Sequence, residues 1–196
     1  MWKHHTPGIP DEMFERVEEV PITKEEVRAI QISKARLSQG QVVYDVGCGS
    51  GSISVEASYQ IGPSGKIFSI DIDPKAVDLT KKNLEKFEIA NASVILGNAL
   101  DKIAELPTAD AIFIGGTGGE TSEIIKKCEQ KLKTGGRIVI GTILIETLYS
   151  VLSIIEKLQF SSIDVIQVTI SKSRKTSTGT MMLARNPVTI ISATKI

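Results

Sequence analysis

The chain has 196 residues, of which 41% are hydrophobic and 23% are charged, and its 23 basic and 23 acidic side chains balance to a net charge of zero. This composition is ordinary for a globular protein, and the balanced charge gives no electrostatic reason to expect nucleic acid as a partner. Because the length is typical of one domain, we expect a single domain over residues 1–196, with residues 1–22 as an N-terminal arm.

The sequence contains only two cysteines, Cys48 and Cys128, and only two histidines, His4 and His5. The cysteine spacing fits neither a disulfide framework nor a zinc site, which favours a reducing cytoplasmic compartment. Both histidines lie near the N-terminus, so the body of the chain offers no imidazole for a metal site or a catalytic base. No apolar stretch approaches the ~20 residues of a membrane span. We therefore expect a cytoplasmic protein with no metal site and no membrane partner.

Hydrophobic periodicity and turn residues predict alternating helices and strands behind the arm. The predicted helices cover residues 24–37, 51–61, a segment opening at Pro74, 119–133 and 145–158. The predicted strands cover residues 41–46, 66–71, 93–96, 109–114 and 137–140, with 161–170 and 180–192 as a terminal antiparallel pair. Thr23 and Glu26 match a capping box at the start of the first helix.

This alternation indicates an α/β fold with a doubly wound, mostly parallel seven-stranded sheet and a C-terminal antiparallel strand. Ligands of such sheets bind at the carboxyl ends of the strands, where the strand order reverses. Glycine-rich or polar segments follow each of the first four predicted strands. We therefore expect one binding site along that edge.

A glycine turn follows the first predicted strand and contains Gly47, Gly49 and Gly51. A ligand can approach such a backbone closely because no Cβ stands in the way. Asp71, at the end of the next strand, can hold the two hydroxyls of a ribose. Asp45 would repel a pyrophosphate but would accept hydrogen bonds from an ammonium group. The pattern favours a nucleoside that carries a charged amino acid, which is S-adenosyl-L-methionine.

In this motif the chain resembles the class I S-adenosylmethionine-dependent methyltransferases, whose first motif reads Asp-x-Gly-x-Gly-x-Gly. The resemblance implies that residues 47–51 face the methionine moiety, and that the Asn98 side chain and the Ala99 N–H meet the adenine edge. Many of these enzymes have an aspartate where this chain has Asn98, although an amide can both donate and accept hydrogen bonds.

Further segments narrow the resemblance to one family. They are residues 8–12 with 20–28, 115–120, 143–147 and 179–188. Together they resemble the decarboxylating C15-methyltransferases of cobalamin biosynthesis that act on cobalt-precorrin-6B, and the likeness covers nearly the whole chain. It implies methylation at C15, loss of carbon dioxide from the C12 acetate to give cobalt-precorrin-7, and a homotetramer.

The family resemblance also favours Thr23 as a cofactor residue, whereas its local sequence alone predicts a plain helix N-cap. Cys48 enters as a small residue of the turn and not as a nucleophile. The predicted cofactor-binding residues are Thr23, Asp45, Gly47, Cys48, Gly49, Ser50, Gly51, Asp71, Asn98 and Ala99.

The tetrapyrrole that the family implies carries several carboxylate arms, which call for cations. The polar loop at residues 171–180 holds three cations and no acid, and we predict that Lys172 and Arg174 bind these arms. The alternative for this loop is a solvated hairpin tip. Gly116 and Thr117 lie in a glycine run that would leave room for a flat ring.

Two carboxylates near the expected cleft, Glu120 and Glu146, are further candidates to orient the substrate or to exchange a proton. Each is also explained as a carboxylate that caps a helix. Aligning a nucleophile with an activated methyl group demands no histidine, and the sequence assigns no catalytic residue.

Three other functions stay open at this stage. They are a methyltransferase with another substrate (tRNA, protein or a small molecule), a non-catalytic nucleoside-binding module, and an NAD-dependent reductase. The glycine spacing disfavours the reductase, because Ser52 stands where a dinucleotide-binding motif needs its third glycine.

Charge is unevenly spread along the balanced chain. Seven acids fall within residues 11–26, and no acid follows Asp164, although five basic residues do. We interpret the acidic run as a solvated face.

Overall fold

Residues 2–196, which the computed structural model describes, form a single large sheet, a separate hairpin and six α-helices. The helices are α1 Glu25–Ala35, α2 Ser52–Ile61, α3 Pro74–Lys86, α4 Ala99–Glu105, α5 Thr121–Lys131 and α6 Ile145–Ile155. The strands are β1 Val42–Val46, β2 Lys66–Asp71, β3 Ala92–Leu96, β4 Ala109–Ile114, β5 Leu132–Thr142, β6 Phe160–Val168, β7 Ser171–Lys175, β8 Thr180–Ala184 and β9 Val188–Lys195.

The large sheet has seven strands in the order β3-β2-β1-β4-β5-β9-β6. Strands β1 to β5 pair in parallel, and β9 runs antiparallel between β5 and β6. This arrangement confirms the predicted mostly parallel seven-stranded sheet with a C-terminal antiparallel strand. The strand order reverses between β1 and β4, which places the expected ligand edge at the carboxyl ends of these two strands.

Both faces of the central strands β1, β4 and β5 are buried, as parallel strands with helices on each side require. Successive residues of β4 alternate between the faces: Ile112 and Ile114 pack with α5 and α6, whereas Ala111 and Phe113 pack with α1 and α2. The central strands are therefore anchored on both faces, and the loops at their ends start from fixed positions.

The C-terminal region differs from the prediction. The predicted strand at 180–192 is divided into β8 and β9, with Arg185, Asn186 and Pro187 between them. Pro187 has no N–H to donate to a ladder, and the chain changes sheets at this point. The predicted polar loop at residues 171–180 instead contributes β7, which pairs with β8 as a separate hairpin.

Two helix predictions also need correction. Helix α4 was missed because its seven residues are too few to show a helical period. The capping box before α1 was wrong, since Lys24 is the N-cap and makes no side-chain capping bond. Instead, the Thr23 carbonyl accepts a hydrogen bond from Arg28, and the Glu26 carboxylate pairs with Lys172.

The irregular N-terminal arm packs closely on the body of the molecule. Ile9 and Phe14 are buried in a cluster that includes Leu84 and Phe87 of the α3 region. The two phenyl rings lie 4.8 Å apart between centroids. Apolar burial on this scale is a substantial stabilising contribution, so the arm forms part of the core.

A buried ion-pair network fixes the arm to α1 and α2. The Arg28 side chain is fully buried, and its Nε donates to Glu56 at 2.6 Å. Its other nitrogens donate to the Asp11 carboxylate at 3.3 Å and to the carbonyls of Thr23 and Ile9. The backbone N–H groups of Ile9 and of the preceding Gly8 donate to Glu56.

The interpretation of the acidic run as a solvated face is wrong for three of its members. Asp11 is buried against Arg28. Glu25 and Glu26 both pair with Lys172, and Glu26 also lies 3.4 Å from Arg185. The end of the acidic run, at the start of α1, thus meets the basic C-terminal region, so part of the uneven charge along the chain is balanced in space.

We predict that Arg28→Met lowers the free energy of unfolding by about 3–5 kcal/mol, because Glu56 is left buried and unpaired. The matched control is Lys34→Met, whose exposed pair with Asp164 should contribute less than about 1 kcal/mol. Urea unfolding followed by circular dichroism measures both. Equal, small losses for the two variants would contradict the structural role of the buried network.

Candidate functional site

Two adjoining cavities lie at the carboxyl edge of the sheet. The smaller has a volume of about 360 Å³ and is bordered by the ends of β1, β2 and β3. The larger, of about 700 Å³, is bordered by the ends of β1, β4 and β5, by α1 and by the segment between β8 and β9. Both volumes are typical of small-molecule sites. The residues that line both are Pro21, Gly47, Gly49 and Gly116.

The glycine turn after β1 is packed on three sides, with positive φ at each of its glycines. A Cβ on Gly47 would lie 2.4 Å from the carbonyl oxygen of Gly116, and one on Gly51 would lie 2.8 Å from Thr80. Both the conformation and the space therefore require glycine. The turn has no room to move away from a ligand.

Polar side chains of α3 hold this turn in place. Thr80 Oγ1 donates to the Gly49 carbonyl at 2.9 Å, and Asn83 Nδ2 donates to the Ser50 carbonyl at 2.8 Å. From the arm, the Pro21 carbonyl accepts the Ser50 N–H at 3.2 Å. Sequence reasoning missed Thr80 and Asn83, because nothing in an amphipathic helix shows that a polar residue faces a distant turn.

Asp71 ends β2 and faces the smaller cavity. One carboxylate oxygen accepts the Gly49 N–H at 2.9 Å, and the other accepts the Asp73 N–H at 3.0 Å. Each oxygen keeps a second lone pair. The carboxylate is thus held in a fixed orientation with the capacity to accept two hydroxyl groups.

Asp45 is the last residue but one of β1 and lines the larger cavity. Its side chain accepts a hydrogen bond from Ser54 Oγ at 2.5 Å, and that hydroxyl lies 2.7 Å from Ser69 Oγ. Burial raises the pKa of Asp45 to about 6; the Ser54 hydrogen bonds oppose the rise, and the charge of Asp71 adds to it. Among residues 2–196, no basic side chain pairs with this carboxylate.

Asn98 and Ala99 also line the smaller cavity. The Asn98 side chain caps α4 by accepting the Leu100 N–H at 2.8 Å, and its amide nitrogen donates to Glu120 at 3.1 Å. Glu120 and Thr117, which the sequence suggested for the substrate, line this smaller cavity and not the larger one. The structure thus groups them with Asp71 and Asn98.

Cys48 lies beside the larger cavity, whereas Ser50 and Gly51 line neither cavity and act within the turn. The Cys48 thiol lies 3.4 Å from Thr80 Oγ1. Burial, with smaller effects from Asp45 and Asp71, raises the pKa of this thiol well above its usual range. A thiol that resists ionisation is a poor nucleophile, in keeping with its role as a small turn residue.

The larger cavity has walls that are mostly apolar. They are formed by Ile22, Val27, Ile53, Phe113, Ile114, Val139, Ile143, Ala184 and Val188. Among its polar residues are Thr23 and four that sequence reasoning did not assign to the site: Lys24, Gln31, Arg185 and Asn186. Gly141 lies among the β-branched residues of β5, and such a glycine often marks a close approach of another group to the backbone. It was the signal in the sequence that pointed to this wall of the cavity.

Three predicted substrate residues lie outside both cavities. Lys172 is held by Glu25 and Glu26. Arg174 is exposed on β7, and Glu146 is exposed in the first turn of α6. The structure therefore does not bring these side chains together with the cofactor residues.

Two observations concern the described residues 2–196 as a whole. No group of three or more His, Cys, Asp or Glu side chains lies close enough to bind a metal ion. No helix combines the length and apolar character that a bilayer crossing needs.

We predict that Asp45→Asn stabilises the ligand-free protein at pH 8. Because the pKa of Asp45 is raised in the native state, protonation of this carboxyl stabilises the fold. That stabilisation is fully present below the ordinary pKa of 3.8 and is lost as pH rises through about 6. An amide never ionises, and the gain at pH 8 should reach at most about 3 kcal/mol. Urea unfolding at pH 4 and pH 8 measures it, with the exposed Asp101→Asn as control. A gain that is the same at both pH values would contradict the burial argument.

The chain is similar to known proteins over nearly its whole length. A family model described as precorrin methyltransferase domain matches residues 12–195. A Saccharolobus solfataricus protein, "Probable cobalt-precorrin-6B C(15)-methyltransferase (decarboxylating)", is 46% identical over 99% of this chain and 98% of its own. The crystal structure of precorrin-6y C5,15-methyltransferase from Geobacter metallireducens has 35% identity and a TM-score of 0.90, covering 97% of both chains. That of precorrin 8W decarboxylase from Methanobacterium thermoautotrophicum has 33% identity and a TM-score of 0.89, covering 94% of this chain and 98% of its own.

Proposed function

The chain belongs to the precorrin methyltransferase family, and we propose that it transfers a methyl group from S-adenosyl-L-methionine to C15 of cobalt-precorrin-6B. In the same proposal, the C12 acetate loses carbon dioxide, and the product is cobalt-precorrin-7. The names of the relatives support both halves, because one is a decarboxylating C15-methyltransferase and another a precorrin decarboxylase. The observation that carries the proposal is the pair of cavities that meet at the glycine turn, the smaller one lined by Asp71 and Asn98 and the larger one with mostly apolar walls.

The residues present fit S-adenosylmethionine. Asp71 is oriented for the ribose, and the side chain of Ile72, which is 68% exposed, offers an apolar surface in the same cavity. Asp45 is a buried carboxylate that has no basic partner among residues 2–196, and an ammonium group would supply the missing charge. When bound, this cofactor supplies a methyl group activated by a sulfonium sulfur.

The residues of this chain position the two reaction partners and exclude water from between them. Its glycine turn, held by Thr80 and Asn83, fixes one reaction partner, and the apolar walls of the larger cavity fix a flat second one. Such alignment supplies much of the acceleration in a displacement at carbon. In the decarboxylation, the bond between the acetate methylene and its carboxylate breaks, carbon dioxide leaves, and the electron pair passes into the macrocycle. A proton from solvent then completes the new methyl group.

We infer that Lys24 and Arg185 bind carboxylate arms of the macrocycle. Both line the larger cavity. Their present ion pairs are long, at 3.6 Å to Asp11 and 3.4 Å to Glu26, so a substrate carboxylate can compete for them. Lys172 supports this arrangement by neutralising Glu25 and Glu26, and Glu120 belongs to the nucleoside side with Asn98.

The experiment is incubation with cobalt-precorrin-6B and methyl-labelled S-adenosylmethionine, followed by mass spectrometry. We expect one labelled methyl group to be gained and one carbon dioxide to be lost. Asp71→Ala should weaken binding of S-adenosylhomocysteine at least about 100-fold, because charge-assisted hydrogen bonds to the ribose are lost. The matched control is Asp78→Asn, which alters an exposed carboxylate of α3.

Each alternative function predicts a different result when NADH, tRNA and protein are tested beside the tetrapyrrole. Binding of NADH without S-adenosylhomocysteine would favour a reductase and overturn the proposal. Cofactor binding without tetrapyrrole turnover would favour a nucleoside-binding module. Transfer of label to tRNA or protein would indicate a different methyltransferase.

We further propose that residues 1–196 form one functional unit that assembles as a homotetramer in the cytoplasm. Free, buried thiols at Cys48 and Cys128 suit a reducing compartment. Met182 on β8 is 64% exposed and Tyr149 on α6 is 73% exposed, and exposed apolar side chains favour association. 

We predict that the double variant Met182→Lys, Tyr149→Lys sediments as a smaller species than the wild type, because charges would be buried in the interface. Lys175→Met and Lys157→Met serve as surface controls. Analytical ultracentrifugation measures the change, and a wild-type monomer would contradict the proposed assembly.

A further inference from the structure

Gln31 of α1 is a polar side chain without a partner beside the larger cavity. Only 7% of the residue is exposed, and it lines that cavity. Among the described residues 2–196, its amide makes no hydrogen bond. Neither polar atom of Gln31 is among the fully enclosed side-chain atoms without a partner, which belong to Ser50, Ser58 and Ser192, so the amide is open to the cavity. An amide that packs against Gly141 and reaches the cavity without a hydrogen bond is available to a ligand.

Gly141, which also lines the larger cavity, packs directly against this amide. A Cβ on Gly141 would lie 2.1 Å from Gln31 Nε2 and 3.4 Å from its Cδ. Gly141 does not have a positive φ, so its backbone conformation suits any residue, and only the space excludes a side chain. Since Gly141 sits at the carboxyl end of β5, the glycine leaves room for the Gln31 amide at the substrate edge of the sheet.

The N-cap of α1 and two residues of the helix form one cavity-facing stripe. Lys24, Val27 and Gln31 all line the larger cavity, and their spacing of three and four residues places them on one helix face. Seven residues of helix rise separate Lys24 from Gln31 by about 10 Å. The stripe thus offers a cation, an apolar contact and an amide in sequence, which matches a flat apolar ring that carries carboxylate arms.

We propose that Gln31 is a positioning residue that donates a hydrogen bond to one carboxylate arm of the tetrapyrrole in the larger cavity. The inference rests on the proposed function and extends it to a residue that the sequence did not point to. A neutral amide orients a carboxylate without supplying a compensating positive charge. In this proposal Lys24 and Arg185 supply positive charge to the carboxylate arms, and Gln31 fixes the orientation of one arm.

The test is to titrate cobalt-precorrin-6B into the full-length protein and follow the absorbance of the macrocycle. Gln31→Leu keeps the approximate volume and removes the hydrogen bond, so tetrapyrrole affinity should fall about 10- to 100-fold. Gln31→Glu should lower it further, because two carboxylates repel. Binding of S-adenosylhomocysteine and the unfolding temperature should stay near wild type in Gln31→Leu. Gln130→Leu, on the exposed surface of α5, is the matched control.

A double-variant cycle separates positioning from packing. Gly141→Ala should displace the Gln31 amide and weaken tetrapyrrole binding in the wild-type background. In the Gln31→Leu background the same change should cost little further affinity, because the clashing amide is gone. Under steady-state conditions, Gln31→Leu should raise KM more than it lowers kcat.

The possible outcomes distinguish this inference from the proposed function. If the wild type binds and converts the tetrapyrrole while Gln31→Leu and Gln31→Glu bind it unchanged, the inference is wrong and the function stands. If Gln31→Leu unfolds at a much lower temperature and loses cofactor binding as well, Gln31 is a structural residue and the inference is also wrong. If the wild type binds no tetrapyrrole, both fail.

Discussion

The buried ion pair between Arg28 and Glu56 is the interaction on which the remainder of the site depends. It joins α1 to α2, and the same two side chains bind the backbone of the arm at Ile9 and Thr23. Because desolvated charges are tolerated only with good partners, the arm has one well-determined path across the body. That path brings Pro21 onto the glycine turn, where it forms a wall common to both cavities.

From this constraint follows a site with two chemically distinct halves. On the β2–β3 side, a carboxylate with fixed orientation and a capped short helix place polar groups at the smaller cavity. On the β4–β5 side, apolar walls and a few cations suit a rigid, acidic ring. Within residues 2–196 the buried carboxylate of Asp45 has no basic partner and lines the larger cavity, and a bound positive charge would add to the partial compensation that Ser54 provides.

Local signals in the sequence were sufficient to locate the sheet, the glycine turn and Asp71. A run of alternate glycines after an apolar stretch, and a carboxylate at the end of the next strand, can be recognised from neighbouring residues alone. Lys24, Gln31 and Arg185 could not be found in this way, because α1 and the segment after β8 meet only in the folded chain. Arg28 was hidden for the same reason: within a charged stretch, nothing local distinguishes a buried guanidinium from a solvated one. The resemblance pointed to the family, but it did not reveal that Lys172 is occupied by Glu25 and Glu26.

The break between β8 and β9 separates two tasks that one continuous strand would combine. Residues after Pro187 complete the sheet beside β5, whereas Arg185 and Asn186, just before it, belong to the cavity wall. A substitution at Arg185 or Asn186 therefore alters the wall of the larger cavity but leaves the residues that pair β9 with β5 in place. The interruption lets the lining of the cavity vary while the hydrogen-bonded scaffold beside it stays the same.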